Sequence, residues 1–218
     1  MPTRGIVYNA WGEKSLAEAR RSAASAKKYG YQTVLLTDEE VSWPEFDVVH
    51  YTMIDRQRVH LNKASNIYRL APFDLTCFLD SDTIVCDELC FGFKMAELHG
   101  MALTIAPFYD LASVPGWQDH QDWIQYNTGV IFFDHKYSEC VFNRWKELCE
   151  EHVGGETNDQ PHLSRAIFEM EFNPFVLPAS WNFRDKWQYW HGRIKVWHSR
   201  RKLPKSIVAP RPMRGSRE

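Results

Sequence analysis

The sequence predicts an α/β fold, a central sheet with helices on both faces. Three observations lead there. Short apolar runs alternate along the chain with longer stretches whose apolar residues recur at helical spacing. One run, Leu75–Leu79, is apolar throughout, as suits a strand buried on both faces. At 218 residues, 44% of them hydrophobic, the chain can bury one good core but scarcely two, so a single domain is expected.

The elements follow in order. Residues 5–9 read as the opening strand. Residues 13–29 are rich in alanine, with Leu16, Ala19, Ala23 and Ala26 at helical spacing and Gly30 as the C-terminal stop. Residues 33–37 form a second strand ending at Asp38, and 46–50 suggest a third. Residues 62–70 are predicted helical and halt before Ala71-Pro72, because the residue before a proline avoids helical backbone angles. Leu75–Leu79 comes next, then strands at 101–106 and 128–133. Residues 138–152 place Val141, Trp145 and Leu148 on one face of a helix closed by Gly154-Gly155. Residues 161–170 are the last helix, and 175–177 and 194–197 the last strands. No internal repeat interrupts this alternation.

Composition narrows the function classes. A formal net charge of −2 gives no global attraction for nucleic acid. The nine tryptophans exceed the needs of a small core, and flat indole rings suit a cleft that stacks sugars or bases. Cys77, Cys86, Cys90, Cys140 and Cys149 form no Cys-x-x-Cys pair and no zinc spacing with histidine. Their odd number and apolar settings predict reduced, buried thiols. The first apolar run is too short for a signal sequence and no stretch reaches the length of a membrane span, so a cytoplasmic protein with no membrane span is expected. Beyond Arg200 the chain turns basic, with Arg201, Lys202, Lys205, Arg211, Arg214 and Arg217 against the single acid Glu218 and with Pro204, Pro210 and Pro212 interspersed. It reads either as a flexible solvated tail or as a segment whose first basic residues fold over an anionic ligand.

The chemistry centres on Asp80-Ser81-Asp82, where the buried strand runs out into two carboxylates one residue apart. In open α/β sheets, ligands gather outside the carboxyl ends of the strands. Two carboxylates there repel each other, and a hard divalent ion, Mg²⁺ or Mn²⁺, relieves that repulsion while leaving positions for phosphate oxygens. The plainer alternative has Asp80 capping a turn and Asp82 in solvent. A haloacid-dehalogenase-type phosphatase also places Asp-x-Asp after a strand, but normally on the first strand and with a different continuation from Thr83-Ile84.

Asn62-Lys63, Tyr68-Arg69-Leu70 and Phe78-Leu79-Asp80-Ser81-Asp82 together resemble the core of nucleotide-sugar glycosyltransferases of the GT-A fold. The group most similar is the glycogenin-like and lipopolysaccharide galactosyltransferase-like one, family 8. Further similar segments follow in the same order: Tyr126-Asn127-Thr128-Gly129-Val130, Asn158-Asp159-Gln160, Leu177-Pro178-Ala179-Ser180-Trp181-Asn182 and Val196-Trp197-His198. The likeness runs from the first strand to about Lys205. It implies a single-domain GT-A (Rossmann-like) fold with a mixed central sheet over residues 1–205, leaving 206–218 as the basic tail.

The resemblance also implies roles. Asp80, Asp82 and His198 would hold the metal, with Mn²⁺ favoured over Mg²⁺ because an imidazole joins the oxygens. His198 is preferred to His191 for its place after an apolar strand. Lys63 would set positive charge beside the donor, with Ser81 alongside it, and Asn127 would bond sugar hydroxyls. Asp159 and Gln160 would face the sugar as the catalytic pair, Asp159 also being well placed to cap the helix that follows. Tyr8 and Asn9 would receive the nucleotide base, with Asp38 on the same rim.

The expected partner is a nucleotide-sugar donor, UDP-sugar foremost, with a glycan, protein or small-molecule acceptor meeting a rim at 108–123. The expected activity is a metal-dependent hexosyl transfer with retention of configuration. The family's glycine and lysine after its histidine are replaced here by Ser199-Arg200-Arg201-Lys202, which nominates Lys202, or Lys205, with help from Arg200, as the phosphate-binding cation. A sugar-1-phosphate nucleotidyltransferase would need a glycine-rich, arginine-containing loop after the first strand, and Asn9-Ala10-Trp11-Gly12-Glu13-Lys14 is not one. A nucleotide-sugar-binding protein without turnover is the non-enzymatic alternative.

Overall fold

The computed structural model describes residues 1–114, 117, 123–152, 158–186 and 192–208. Its elements in chain order are β1 (Arg4–Asn9), α1 (Glu13–Lys27), β2 (Gln32–Thr37), β3 (Val48–Tyr51), α2 (Val59–Leu70), β4 (Leu75–Leu79) and β5 (Thr83–Val85). There follow α3 (Cys90–His99), β6 (Met101–Ile105), β7 (Tyr126–Asp134), α4 (Glu139–Glu151), α5 (Gln160–Glu169), β8 (Phe175–Val176), β9 (Phe183–Arg184), β10 (Val196–His198) and α6 (Lys205–Val208).

The main sheet has seven strands in the order β3-β2-β1-β4-β7-β6-β8. From β3 to β4 the strands are parallel. β7 then runs antiparallel to both β4 and β6, and β8 lies parallel to β6. The sheet is therefore mixed, and the architecture is a single-domain, Rossmann-like α/β fold. A smaller sheet, β5-β10-β9, stands beside it.

The alternation of side chains along β1 and β4 divides the core between the two faces. Ile6, Tyr8, Leu75, Cys77 and Leu79 pack with Leu16, Ala19, Ala23 and Ala26 of α1 and Phe93 and Ala96 of α3. Val7 and Phe78 point the other way, toward Ile67 of α2, Trp145 and Leu148 of α4, and Leu163 and Ile167 of α5. Helices thus cover both faces, and β4 is buried along its whole length, as its uninterrupted apolar run requires.

The chain order fixes where a ligand crevice opens. From β1 the chain steps outward to β2 and β3, then crosses back to place β4 on the other side of β1. The carboxyl ends of β1 and β4 flank this switch point, where open α/β sheets leave a cleft between diverging connections. Asn9 ends one strand, and Asp80 follows the other.

Several boundaries differ from the sequence reading. β3 starts at Val48 because Phe46 turns into the core against Tyr8 and Trp43, while Asp47 accepts the Thr33 N–H. α2 begins earlier, at Val59. β5, α3 and β9 carry no prediction. The thiols are free, as expected, but they are not uniformly buried. Cys77 and Cys149 are, whereas Cys90 and Cys140 are exposed because they open α3 and α4 on the outer side of the first turn. Gly154-Gly155 and residues 209–218 lie outside the described residues. Among the described residues, no helix is long and apolar enough to cross a membrane.

Candidate functional site

Asp80 leaves β4 with its backbone N–H bonded to the Gly129 carbonyl of β7. The chain then turns, Thr83 Oγ1 donating to the Asp80 carbonyl, and enters β5. β5 pairs antiparallel with β10, setting His198 opposite Thr83, and β10 pairs with β9, setting His198 beside Arg184. The small sheet thereby carries an imidazole from far along the chain to the two carboxylates. His198 Nε2 lies 3.1 Å from Asp82 Oδ1 and 3.7 Å from Asp80 Oδ2. One donor atom from each of Asp80, Asp82 and His198 falls within 4.8 Å of the others, the geometry of a group that can hold one metal ion.

The imidazole is fixed from behind. His198 is buried, and its Nδ1 lies 2.7 Å from Asn182 Oδ1. Asn182 Nδ2 in turn donates to Asn127 Oδ1, which also accepts the Gly129 N–H. A neutral imidazole that donates its Nδ1 proton to an amide oxygen presents a lone pair at Nε2, on the side of the carboxylates, and a protonated one presents an N–H there. Gly129 closes the arrangement: a Cβ there would press against His198 Cε1 and lie 2.6 Å from Nδ1 and 2.9 Å from Asp80 Oδ2.

Charge is distributed around this centre with little left over. Lys63 Nζ sits 2.9 Å from both Asp80 Oδ1 and Asp159 Oδ2, so each Asp80 oxygen has a different neighbour. Burial by itself would lower the lysine's pKa, but the charges of Asp159 and Asp80 outweigh it and hold the pKa above its ordinary value. Burial likewise works to raise the Asp82 pKa. The hydrogen bond and charge of His198 and the charges of Arg200 and Arg184 prevail, and the carboxyl is held well below the usual range.

A cleft of about 560 Å³ opens here, lined among others by Asn9, Trp11, Ser15, Lys63, Ser81, Asp110, Asn127, Asp159, Gln160, Arg184 and Arg200 as well as the three candidate ligands. Part of its lining is one hydrogen-bonded network. Asn127 Nδ2 donates to Gln160 Oε1 at 2.6 Å and to Asp110 Oδ2 at 3.2 Å, and Gln160 Nε2 donates to the Asp110 carbonyl. Ser81 accepts from Ser15 Oγ.

The sequence-predicted residues are largely brought together, with corrections. Tyr8 does not face the cleft: it is fully buried on the α1 side of β1, its hydroxyl accepting from Ser22, and burial drives its pKa up. Asn9, one residue on, takes the opposite face and does line the cleft, with an Oδ1 that is buried and unpartnered among the described residues. Asp159 stands at the N-cap position of α5 but makes no side-chain cap. Its carboxylate turns to Lys63 and Thr128, and Asn158 Oδ1 accepts the Gln160 N–H instead. Lys202 is exposed and is not among the residues lining the cleft, nor is Lys205; Arg200 lines it from the same segment.

Asp38 is engaged by Arg56 and is likewise absent from the lining. Arg184 and Asn182 had no predicted role, and Asp110 had none beyond its place in the expected acceptor rim. Asn182 and Asp110 lay in segments read from the sequence, whereas a two-residue strand such as β9 gives Arg184 no local pattern. Of the expected acceptor rim, Phe108 and Leu111 are exposed, while 115, 116 and 118–122 fall outside the described residues, as does His191. No protein-family model matches the chain, and no curated protein matches it either.

Proposed function

We propose that the chain is a metal-dependent glycosyltransferase, moving a hexosyl group from a nucleoside diphosphate sugar, UDP-sugar foremost, to a glycan, protein or small-molecule acceptor. The reading is carried by the convergence of Asp80, Asp82 and the Nε2 face of His198 in a polar cleft that also holds Lys63, Arg184 and Arg200. Two carboxylates and one imidazole suit Mn²⁺ better than Mg²⁺, and Mg²⁺ is the substitute.

A cation bound there supplies Lewis-acid neutralisation of charge on a leaving diphosphate. The chain's own residues do the remainder. Arg200 and Arg184 present guanidinium groups to the same phosphate oxygens, a planar fork that suits bidentate recognition. Lys63 adds fixed positive charge next to Asp80. Asn127, Asp110 and Gln160 form a preorganised wall of donors and acceptors of the kind sugar hydroxyls need. Gln160 has both amide atoms bonded within that wall and acts as a positioning residue for Asn127. Asp159 is the carboxylate on the sugar side, oriented by Lys63 and Thr128. In the transfer, the bond from anomeric carbon to diphosphate oxygen breaks and one to an acceptor oxygen forms. The acceptor's proton leaves with the diphosphate or to solvent. Retention of configuration belongs to the proposal and is read from the anomer of the product.

The test is release of nucleoside diphosphate from a panel of UDP-, GDP- and CDP-sugars with Mn²⁺, water serving as acceptor. Slow, chelator-sensitive turnover of one UDP-sugar is expected. No release from any donor would shift the reading to a binding protein without turnover.

A further inference from the structure

Arg184 is the cross-strand neighbour of His198, and its Nη1 lies 3.0 Å from His198 Nε2. That nitrogen also faces Asp82 Oδ1 at 3.1 Å. It cannot serve both. A protonated Nε2 would donate to Asp82 but point its hydrogen at a guanidinium that has only donors; an unprotonated one accepts from Arg184 but turns a lone pair toward a carboxylate. The Nδ1 contact to Asn182 Oδ1 fits both arrangements and fixes the ring's orientation; in either, the guanidinium stands 3.0 Å from Nε2, where a metal would have to bind. The guanidinium thus stands at the nitrogen that a metal would need, and adds positive charge beside the carboxylates. Its other nitrogen, Nη2, lies 3.6 Å from Asp110 Oδ1, on the wall where the sugar would sit. The side chain is part-exposed, so it has room to swing.

We propose that Arg184 gates the cation site: it holds His198 Nε2 until a diphosphate draws the guanidinium away, so that metal and nucleotide bind together and neither binds well alone. This rests on the metal-site reading above. An imidazole nitrogen has a single lone pair, so Arg184 and a metal on Nε2 exclude each other. A diphosphate offers the displaced guanidinium a bidentate anionic partner in exchange. Coupling of this kind is reciprocal, so the nucleotide raises metal affinity by the factor by which the metal raises nucleotide affinity. A gate so built keeps the site from filling with free cation and commits it to the metal–diphosphate pair.

The experiment is titration of the full chain with Mn²⁺, reading free ion by electron paramagnetic resonance, with and without UDP, in wild type, Arg184→Ala and Arg184→Met. The methionine keeps an unbranched stem should alanine fail to fold. Removing one charge-assisted hydrogen bond that competes with the metal is expected to tighten Mn²⁺ binding in the absence of UDP by about 10- to 100-fold. The further gain on adding UDP is expected to shrink by the same factor. Equal Mn²⁺ affinity in wild type and both variants without UDP would overturn the gate while leaving the metal site standing. Absence of Mn²⁺ binding in every protein, with UDP present, would overturn the metal site and the gate with it. His198→Ala, expected to lose binding in both conditions, separates the site from ion held elsewhere on the surface.

Discussion

His198 Nδ1 is held 2.7 Å from Asn182 Oδ1, and this bond aims the opposite ring nitrogen at Asp80 and Asp82. Asn182 is in turn anchored by Asn127, so the imidazole's orientation is set by the same network that lines the cleft.

Asn182→Ala removes that support without touching a candidate ligand. Loss of an outer partner of this kind lowers metal affinity by about 10- to 100-fold. Mn²⁺ titration in the presence of UDP checks it. Asn182→Asp keeps the acceptor for Nδ1 but loses the donor to Asn127, and is expected to restore only part of the affinity.

Gly129→Ala tests the closeness of β7 to the centre. Its methyl would meet a buried ring and a carboxylate, neither free to retreat far. We expect a folded protein destabilised by about 1–3 kcal/mol, the usual range for overpacking, and without measurable Mn²⁺ binding. Urea denaturation and the metal titration read the two effects separately.

Lys63 bridges Asp80 and Asp159 at 2.9 Å each, and its side chain is only 16% exposed. Lys63→Met leaves two carboxylates without their cation, and breaking a buried pair costs on the order of 3 kcal/mol. The melting temperature is expected to fall and to recover partly on adding Mn²⁺ with UDP, since a new cation then reaches Asp80. A variant as stable as wild type would show that the bridge is incidental.

A group away from the candidate metal centre predicts the pH dependence of stability. His162 on α5 is buried among His60 of α2, His152 at the end of α4 and Trp117, with the Asp159 carboxylate also acting on it. Burial first, then the charges of His152 and His60, push its pKa down from 6.5 to about 4. The unfolded chain therefore binds the proton more readily. Stability should rise with pH between about 4 and 6.5 and is lost on acidification through that window, by at most about 3 kcal/mol. Denaturant midpoints across it should show a slope that His162→Phe flattens.

The parts of the fold legible in the sequence were those whose own residues carried the pattern. Leu75–Leu79 is a strand buried on both faces, as its unbroken apolar run required, and Gly30, at φ 75°, follows the end of α1. α3 was not legible because Gly92 sits inside it, and glycine ordinarily argues against a helix interior. There it lets the helix approach β7, since a Cβ would lie 2.6 Å from the Phe132 ring. Of the candidate site, Asp80, Asp82, Lys63, Asn127, Asp159 and Gln160 stood in recognisable segments. Arg184 did not, because its position comes from pairing with β10 across the small sheet and from nothing local. Tyr8 and Asn9 show the finer limit: neighbours on one strand point to opposite faces, and only the packing of α1 decides which of them meets a ligand.

The central claim, that Asp80, Asp82 and His198 hold a divalent ion beneath a nucleoside diphosphate, is tested most directly by thermal denaturation with Mn²⁺, with UDP, and with both. The account predicts a shift with both that exceeds the sum of the separate shifts, because a bridging ion links the two ligands to the folded state, and its loss in the Asp80→Ala/Asp82→Ala double variant. UDP with Mn²⁺ stabilising that variant as much as wild type would contradict it.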